Sequence, residues 1–219
     1  YWFIYLLAIP GLLFLLVFSY APMYGVVLAF KDFKMNLGVL GSHLLLAHCV
    51  WLTKTDMALL SSTGSNVVYN SVSNQYLADG IADVPSLLRA GINVALGPDG
   101  AASNNNLNMF NVIKSAVLLQ RANTLDVLSL TAEQALEMAT INGAKAIGME
   151  DKIGSLEAGK KADILILNLN DGTMTPKLSC ISNIVYSANC SAVDTVIVNG
   201  RTVLTDDHFT TVDEAAVYA

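Results

Sequence analysis

Few side chains in this sequence can hold a metal or move a proton. Histidine occurs only at His43, His48 and His208, and cysteine only at Cys49, Cys180 and Cys190. Three widely spaced cysteines with no CxxC or Cys/His cluster exclude a disulfide scaffold and a structural zinc knot, so the thiols read as small apolar residues. So few imidazoles confine metal and general-base chemistry to a handful of positions. Basic charge is short too: 12 Lys and Arg stand against 18 Asp and Glu, a net charge of -6. With no basic stripe to neutralise phosphates, nucleic acid is excluded as a partner.

The most local absence is charge before Lys31. Residues 2–30, WFIYLLAIPGLLFLLVFSYAPMYGVVLAF, carry none, and such a run is long enough to cross roughly 30 Å of hydrocarbon as a helix. Trp2, Tyr5, Tyr20 and Tyr24 flank its apolar centre as interfacial aromatics do, and Pro10 and Gly11 are tolerated in membrane helices. A transmembrane helix is therefore expected, with a buried core helix as the alternative. A signal peptide fits less well, because the run lacks a basic start and exceeds the usual apolar length. PGLLFLLVFSYAPMYGVVLAFKDF and LGVLGS resemble the first membrane span of a sugar ABC transporter permease. Transport does not follow, since a permease needs several further spans.

Past Ser42 short apolar runs alternate with helical stretches, the pattern of βα units. LLLAHCVWL (44–52) predicts a buried strand, then a helix from Thr53, with Asp56 three residues on as an imperfect capping box, to a stop at Gly64. NVVYN (66–70) predicts a second strand, followed by a polar loop through Asn74 and a short helix between Pro85 and Gly91. INVALG (92–97) is the third strand, and a helix is expected over 107–122 after the polar run at 103–106. Thr131 and Gln134 cap a helix running to Gly148, and KKADILILNL, SNIVYSA and DTVIVNGRTVLTDD predict a small β-unit.

Polar residues that end parallel strands line the mouth of a βα barrel. His48, Asn70 and Asp99 hold such positions in three successive units. By residue type alone, a lone strand-end histidine is more often a hydrogen-bonded structural group. Asp99, within Gly97-Pro98-Asp99-Gly100, reads equally as a turn former.

The motifs AHCVWLT (47–53), SNQYLADGIADVPSLLRAGINVALGPDGAASNNNLNMF (73–110), QALEMATINGAKAIG (134–148), GSLEAGKKADILILNL (154–169) and VIVNGRTVL (196–204) make the chain from about residue 37 similar to the amidohydrolase superfamily. The likeness lies with its 5-methylthioadenosine/S-adenosylhomocysteine deaminase and chlorohydrolase group. It implies an α/β fold of TIM-barrel type in which a divalent metal, usually zinc, activates water for attack on an amidine-like ring carbon of a small-molecule substrate. By that resemblance Asp99 ends the eighth strand as metal ligand and proton acceptor. His48 is the sixth-strand histidine that contacts the metal-bound hydroxide or the substrate, and Ser103 belongs to the substrate pocket.

The family's first-strand His-x-His and fifth-strand His-x-x-Glu have no counterpart here. Tyr69 and Ser71 replace the histidine and proline of the family's His-Asn-Pro segment, Trp51 replaces a common histidine, and Pro98 replaces the threonine before the aspartate. Pro98 removes an N–H and fixes φ, so altered backbone is expected at Asp99. The resemblance implies a partial barrel of the last three βα units (43–154) and the C-terminal β-rich part of the composite domain (155–219), preceded by the permease-like transmembrane segment (1–36) and a junction (37–42). LGVLGS fits both parents, as expected of a joint made by recombination, gene fusion or sequence assembly. A barrel of this kind needs about 250 residues, so open strand edges are expected to pair with a complementing chain or a second copy. The expected function is a hydrolase acting on non-peptide C–N bonds, an adenosine-type deaminase incomplete by itself. The alternatives are a membrane-anchored non-catalytic fragment and a permease remnant. A genuine fusion places the protein at a membrane, although the amidohydrolase parent is cytoplasmic.

Overall fold

The computed structural model describes residues 40–218. The transmembrane helix expected at 2–30, the permease-like segment to residue 36 and the start of the junction lie outside them. Among the described residues no helix is long and apolar enough to cross a membrane.

The first half is a parallel sheet built in chain order from β1 (Leu45–Ala47), β2 (Asn66–Tyr69) and β3 (Val94–Leu96). Leu46 pairs with Val67, and Val68 with Ala95. A helix follows each strand. Helix α1 (Lys54–Thr63) forms where expected, because the Thr53 side chain accepts from the Asp56 N–H while the Asp56 carboxylate accepts from the Thr53 N–H. It stops at Gly64, whose φ of 69° suits a left-handed cap that glycine adopts without penalty. The Thr53 hydroxyl and N–H hold the Asp56 carboxyl below its ordinary range. Thr53→Ala is expected to cost about 1 kcal/mol in urea denaturation at neutral pH. The share carried by the Asp56 charge is present above the ordinary carboxylate range and is lost as pH falls through the lowered value.

After β2 come α2 (Ser71–Tyr76) and α3 (Val84–Arg89), the latter with Pro85 in its first turn. After β3 come α4 (Ala101–Asn104) and the long α5 (Met109–Thr124). Helix α5 buries Val112, Ile113, Ala116, Val117 and Gln120, one face at helical spacing. The four apolar ones join Val67, Tyr69, Val84, Leu87, Val94 and Leu96 in one core.

Four expectations need correction. The strand expected over 44–52 shrinks to Leu45–Ala47 and is not buried: Leu45 is 38% exposed at the edge of the sheet, and the chain turns away at His48 and Cys49, both with positive φ. The polar loop expected through Asn74 is helix α2. The helix from Thr131 is two helices, α6 (Ala132–Ala139) and α7 (Ile141–Ala146), broken at Thr140. Asn142 explains the break, since its Nδ2 donates to the Val94 carbonyl while its own carbonyl accepts from Asn93, pinning α7 to β3. Finally, SNIVYSA is not a strand but lies largely in α8 (Cys180–Tyr186), capped by Ser179 and buried through Val185.

The C-terminal sheet is antiparallel and ordered β4 (Ile164–Leu167), β5 (Val193–Val198), β6 (Arg201–Thr205) and β7 (His208–Phe209). The Asn199-Gly200 turn between β5 and β6 has φ of 50° and 79°, the left-handed pair that a two-residue hairpin requires. Helix α9 (Glu214–Tyr218) follows β7.

Candidate active site

The C-terminal ends of the three parallel strands bring together the residues that the sequence singled out. His48 directly follows β1 with φ of 65°, and its N–H donates to the Val68 carbonyl at 3.0 Å. Asn70 follows β2 and is 4% exposed. Its neighbours orient its amide, so that Nδ2 donates to the Val68 carbonyl at 3.0 Å and the oxygen accepts from the Asp99 N–H at 3.3 Å. Asp99 lies beyond β3 with φ of 66°. Left-handed backbone is sparsely occupied outside glycine, and two such residues facing one another mark a site whose geometry is imposed by its surroundings. Gly97 admits the close approach, since a Cβ there would meet Val68 Cγ2 at 2.8 Å and the Asn70 amide at 3.3 Å.

His48 Nε2 stands 3.7 Å from Asp99 Oδ2. Helix α2 supplies two further groups. The Ser73 hydroxyl donates to Asp99 Oδ2 at 2.6 Å, and Asn74 Oδ1 lies 2.6 Å from His48 Nδ1. Both α2 residues are buried although polar. So polar a stretch reads as a loop, which hides their role, although Ser73-Asn74 opens the longest family motif. The Gly100 N–H donates to Asp99 Oδ1 at 2.7 Å. The Ser73 hydroxyl first, then the Gly100 N–H, hold the Asp99 carboxyl below its ordinary range, with smaller help from Ser103 and His48 against a desolvation that raises it. Asp99 is therefore ionised at neutral pH. Ser103 sits in α4, where its hydroxyl donates to the Gly100 carbonyl at 3.1 Å, one residue removed from the carboxylate. Pro98 adds its own tie, its carbonyl accepting from Asn104 Nδ2 at 2.5 Å.

Tyr69 does not face this mouth. It is fully buried in the core, where its hydroxyl accepts from Gln120 at 3.4 Å and burial pushes its pKa up to about 12. Trp51 is 85% exposed and donates through Nε1 to the Asp79 carbonyl at 3.0 Å. The Cys49 thiol beside His48 is pushed up to about 11 by burial, whereas Cys180 and Cys190 are exposed. At pH 8 a maleimide is expected to label Cys180 and Cys190 rapidly and Cys49 slowly, read by mass spectrometry of the digest. An apolar cavity of about 950 Å³ lies elsewhere, between α5–α7 and the C-terminal sheet, and includes none of the strand-end residues.

The sequence profile of the amidohydrolase family matches residues 27–203. The chain belongs to the amidohydrolase family. The match begins ahead of the boundary expected at residue 37. Among relatives, a 5-methylthioadenosine/S-adenosylhomocysteine deaminase of Syntrophomonas wolfei is 46% identical over 179 residues, covering 82% of this chain and 42% of the relative. A 5'-deoxyadenosine deaminase of Methanosarcina barkeri is 45% identical over 182 residues, covering 83% and 42%. The structure of an adenosine deaminase from Xanthomonas campestris with bound zinc superimposes with a TM-score of 0.80 at 35% identity, covering 83% of this chain and 41% of that one. The amidohydrolase chain thus spans less than half the length of the relatives it matches.

Family membership and the zinc-bound neighbour imply a divalent metal, most simply zinc. The described residues do not fit it by themselves. They contain no group of three His, Cys, Asp or Glu side chains able to hold a metal ion. Catalytic zinc ordinarily needs about three protein ligands, whereas this amidohydrolase site offers Asp99 and, at 3.7 Å, His48.

Proposed function

We propose that residues 43–154 are the last three βα units of an amidohydrolase barrel, that 155–219 belong to its composite β-domain, and that the strand-end residues form part of a centre for hydrolytic deamination of an adenosine-type ring. The observation that carries this reading is the His48–Asp99 pair, held 3.7 Å apart at the ends of β1 and β3 by Asn74 and Ser73. It is supported by relatives that are 5-methylthioadenosine/S-adenosylhomocysteine and 5'-deoxyadenosine deaminases.

In this reading Asp99 takes the proton of the attacking water, its charge kept available by Ser73 and Gly100. His48 steadies the charge that develops at the ring carbon, and Ser103 lies on the substrate side of the same turn. Further donors come from a complementing polypeptide that carries the missing His-x-His and His-x-x-Glu segments. Ammonia release from 5-methylthioadenosine tests this. The chain alone is expected to release none, and the chain mixed with a polypeptide bearing the first five βα units of a relative is expected to release it. No release from the mixture, in a complex shown to form, contradicts the reading.

For residues 2–30 we propose membrane attachment, resting on the absence of charge across that run. The full chain is expected to sediment with membranes and a form lacking residues 1–35 to remain in the supernatant. Equal partition of the two contradicts it.

A further inference from the structure

We infer that Asn74 is a positioning residue that fixes the tautomer of His48, keeping the proton of the neutral ring on Nδ1 and leaving Nε2 as a lone pair turned toward Asp99. The inference rests on the reading that His48 lies at the reacting centre, but its geometry stands apart from turnover. Asn74 Oδ1 is 2.6 Å from His48 Nδ1, and Asn74 is 1% exposed. An amide oxygen only accepts, so the nitrogen it faces must carry the hydrogen. Asn74 itself is buried, and a buried acceptor left without a donor costs far more than one at the surface. The partner of one imidazole nitrogen therefore decides what the other can do.

The backbone of Asn74 is held on both sides. The Asn74 N–H donates to the Asn70 carbonyl and the Asn74 carbonyl accepts from the Asp79 N–H, each at 3.0 Å. Nδ2 finds no partner among the described residues. Turning the amide over would set Nδ2–H against Nδ1 and move the ring proton to Nε2. That arrangement fails whenever the ring is protonated, because two donors would then face each other. The orientation with Oδ1 on Nδ1 serves both charge states of the imidazole. On the other side of the ring, Nε2 faces Asp99 Oδ2 at 3.7 Å, which already accepts from Ser73.

The consequence is a pair of electron-rich atoms too far apart to bond to each other and close enough to share one donor. A water molecule or an amino group can lie within hydrogen-bond reach of both, so the fixed tautomer prepares the gap for a proton-bearing species. An Nε2–H ring would instead present a donor there and compete for the Asp99 oxygen.

The test is the 15N spectrum of the imidazole in the full chain, taken above the pH at which histidine ionises. His43→Gln and His208→Gln leave His48 as the single histidine. The expected result is an Nδ1 resonance upfield of Nε2, the reverse of the order in free imidazole side chains. Asn74→Asp, which keeps an acceptor on Nδ1, should preserve that order, and Asn74→Leu should lose it. A wild-type spectrum with Nε2 upfield overturns the inference with no variant needed, as does an unchanged order in a folded Asn74→Leu chain. Because the spectrum is read without substrate, an Nδ1–H ring in a chain that never supports ammonia release leaves the inference standing while the deaminase reading falls.

Discussion

Asp99→Asn is expected to lower kcat for ammonia release by the reconstituted assembly by at least roughly 10³-fold, the scale for losing a positioned proton acceptor alone. The carboxylate ends β3 in left-handed backbone and accepts from Ser73 and Gly100 through its two oxygens. An amide of the same shape keeps the packing but cannot take a proton: its oxygen can face the Gly100 N–H while its NH2 donates to the Ser73 hydroxyl, which turns to accept. Stability should therefore change little while turnover collapses. Ser73→Ala is the informative companion, because it removes the strongest influence holding the carboxyl below its ordinary range and leaves the base itself intact. Its loss in kcat should be smaller and should shrink as pH rises.

Gly154→Ala should be the most damaging small substitution among the described glycines, costing about 3 kcal/mol from a left-handed backbone and an overpacked contact together. Gly154 has φ of 90°, and a Cβ there would lie 2.6 Å from Ala144 Cβ and 3.0 Å from Ile141 Cα. Neither neighbour can swing aside: one is a methyl on the backbone and the other is backbone. Helix α7, which carries both, is tied to β3 through Asn142. For a domain of this size the loss corresponds to a fall in Tm of roughly 6–12 °C. Differential scanning calorimetry checks it, and a shift of under about 2 °C would mean that the loop is not pressed against α7.

Where local chemistry decides structure, the sequence was readable. Thr53 with Asp56, Gly64, Thr131 with Gln134 and the Asn199-Gly200 turn each act within four residues, and each forms as expected. His48 and Asp99 were legible because they end strands inside recognisable motifs. What was not legible depends on partners distant in sequence. Helix α2 buries Ser71, Ser73 and Asn74, a pattern that reads as an exposed loop until their partners Val112, Asp99 and His48 are known. The break at Thr140 is imposed by the Asn142 contacts with β3, against a sequence that propensity alone would make one helix. Helix α8 overrides a β-like composition through its Ser179 cap and the burial of Val185.

In the proposed reading this amidohydrolase chain supplies only part of a metal-dependent centre, with Asp99 as its contribution to the ligand set. Zinc content by inductively coupled plasma mass spectrometry, after zinc loading and gel filtration, tests it most directly. Expected are well under one equivalent on the chain alone, about one equivalent on the complex with the complementing barrel half, and loss of that zinc with Asp99→Asn. A full equivalent retained by the chain alone, or a zinc-loaded complex indifferent to Asp99→Asn, would contradict it.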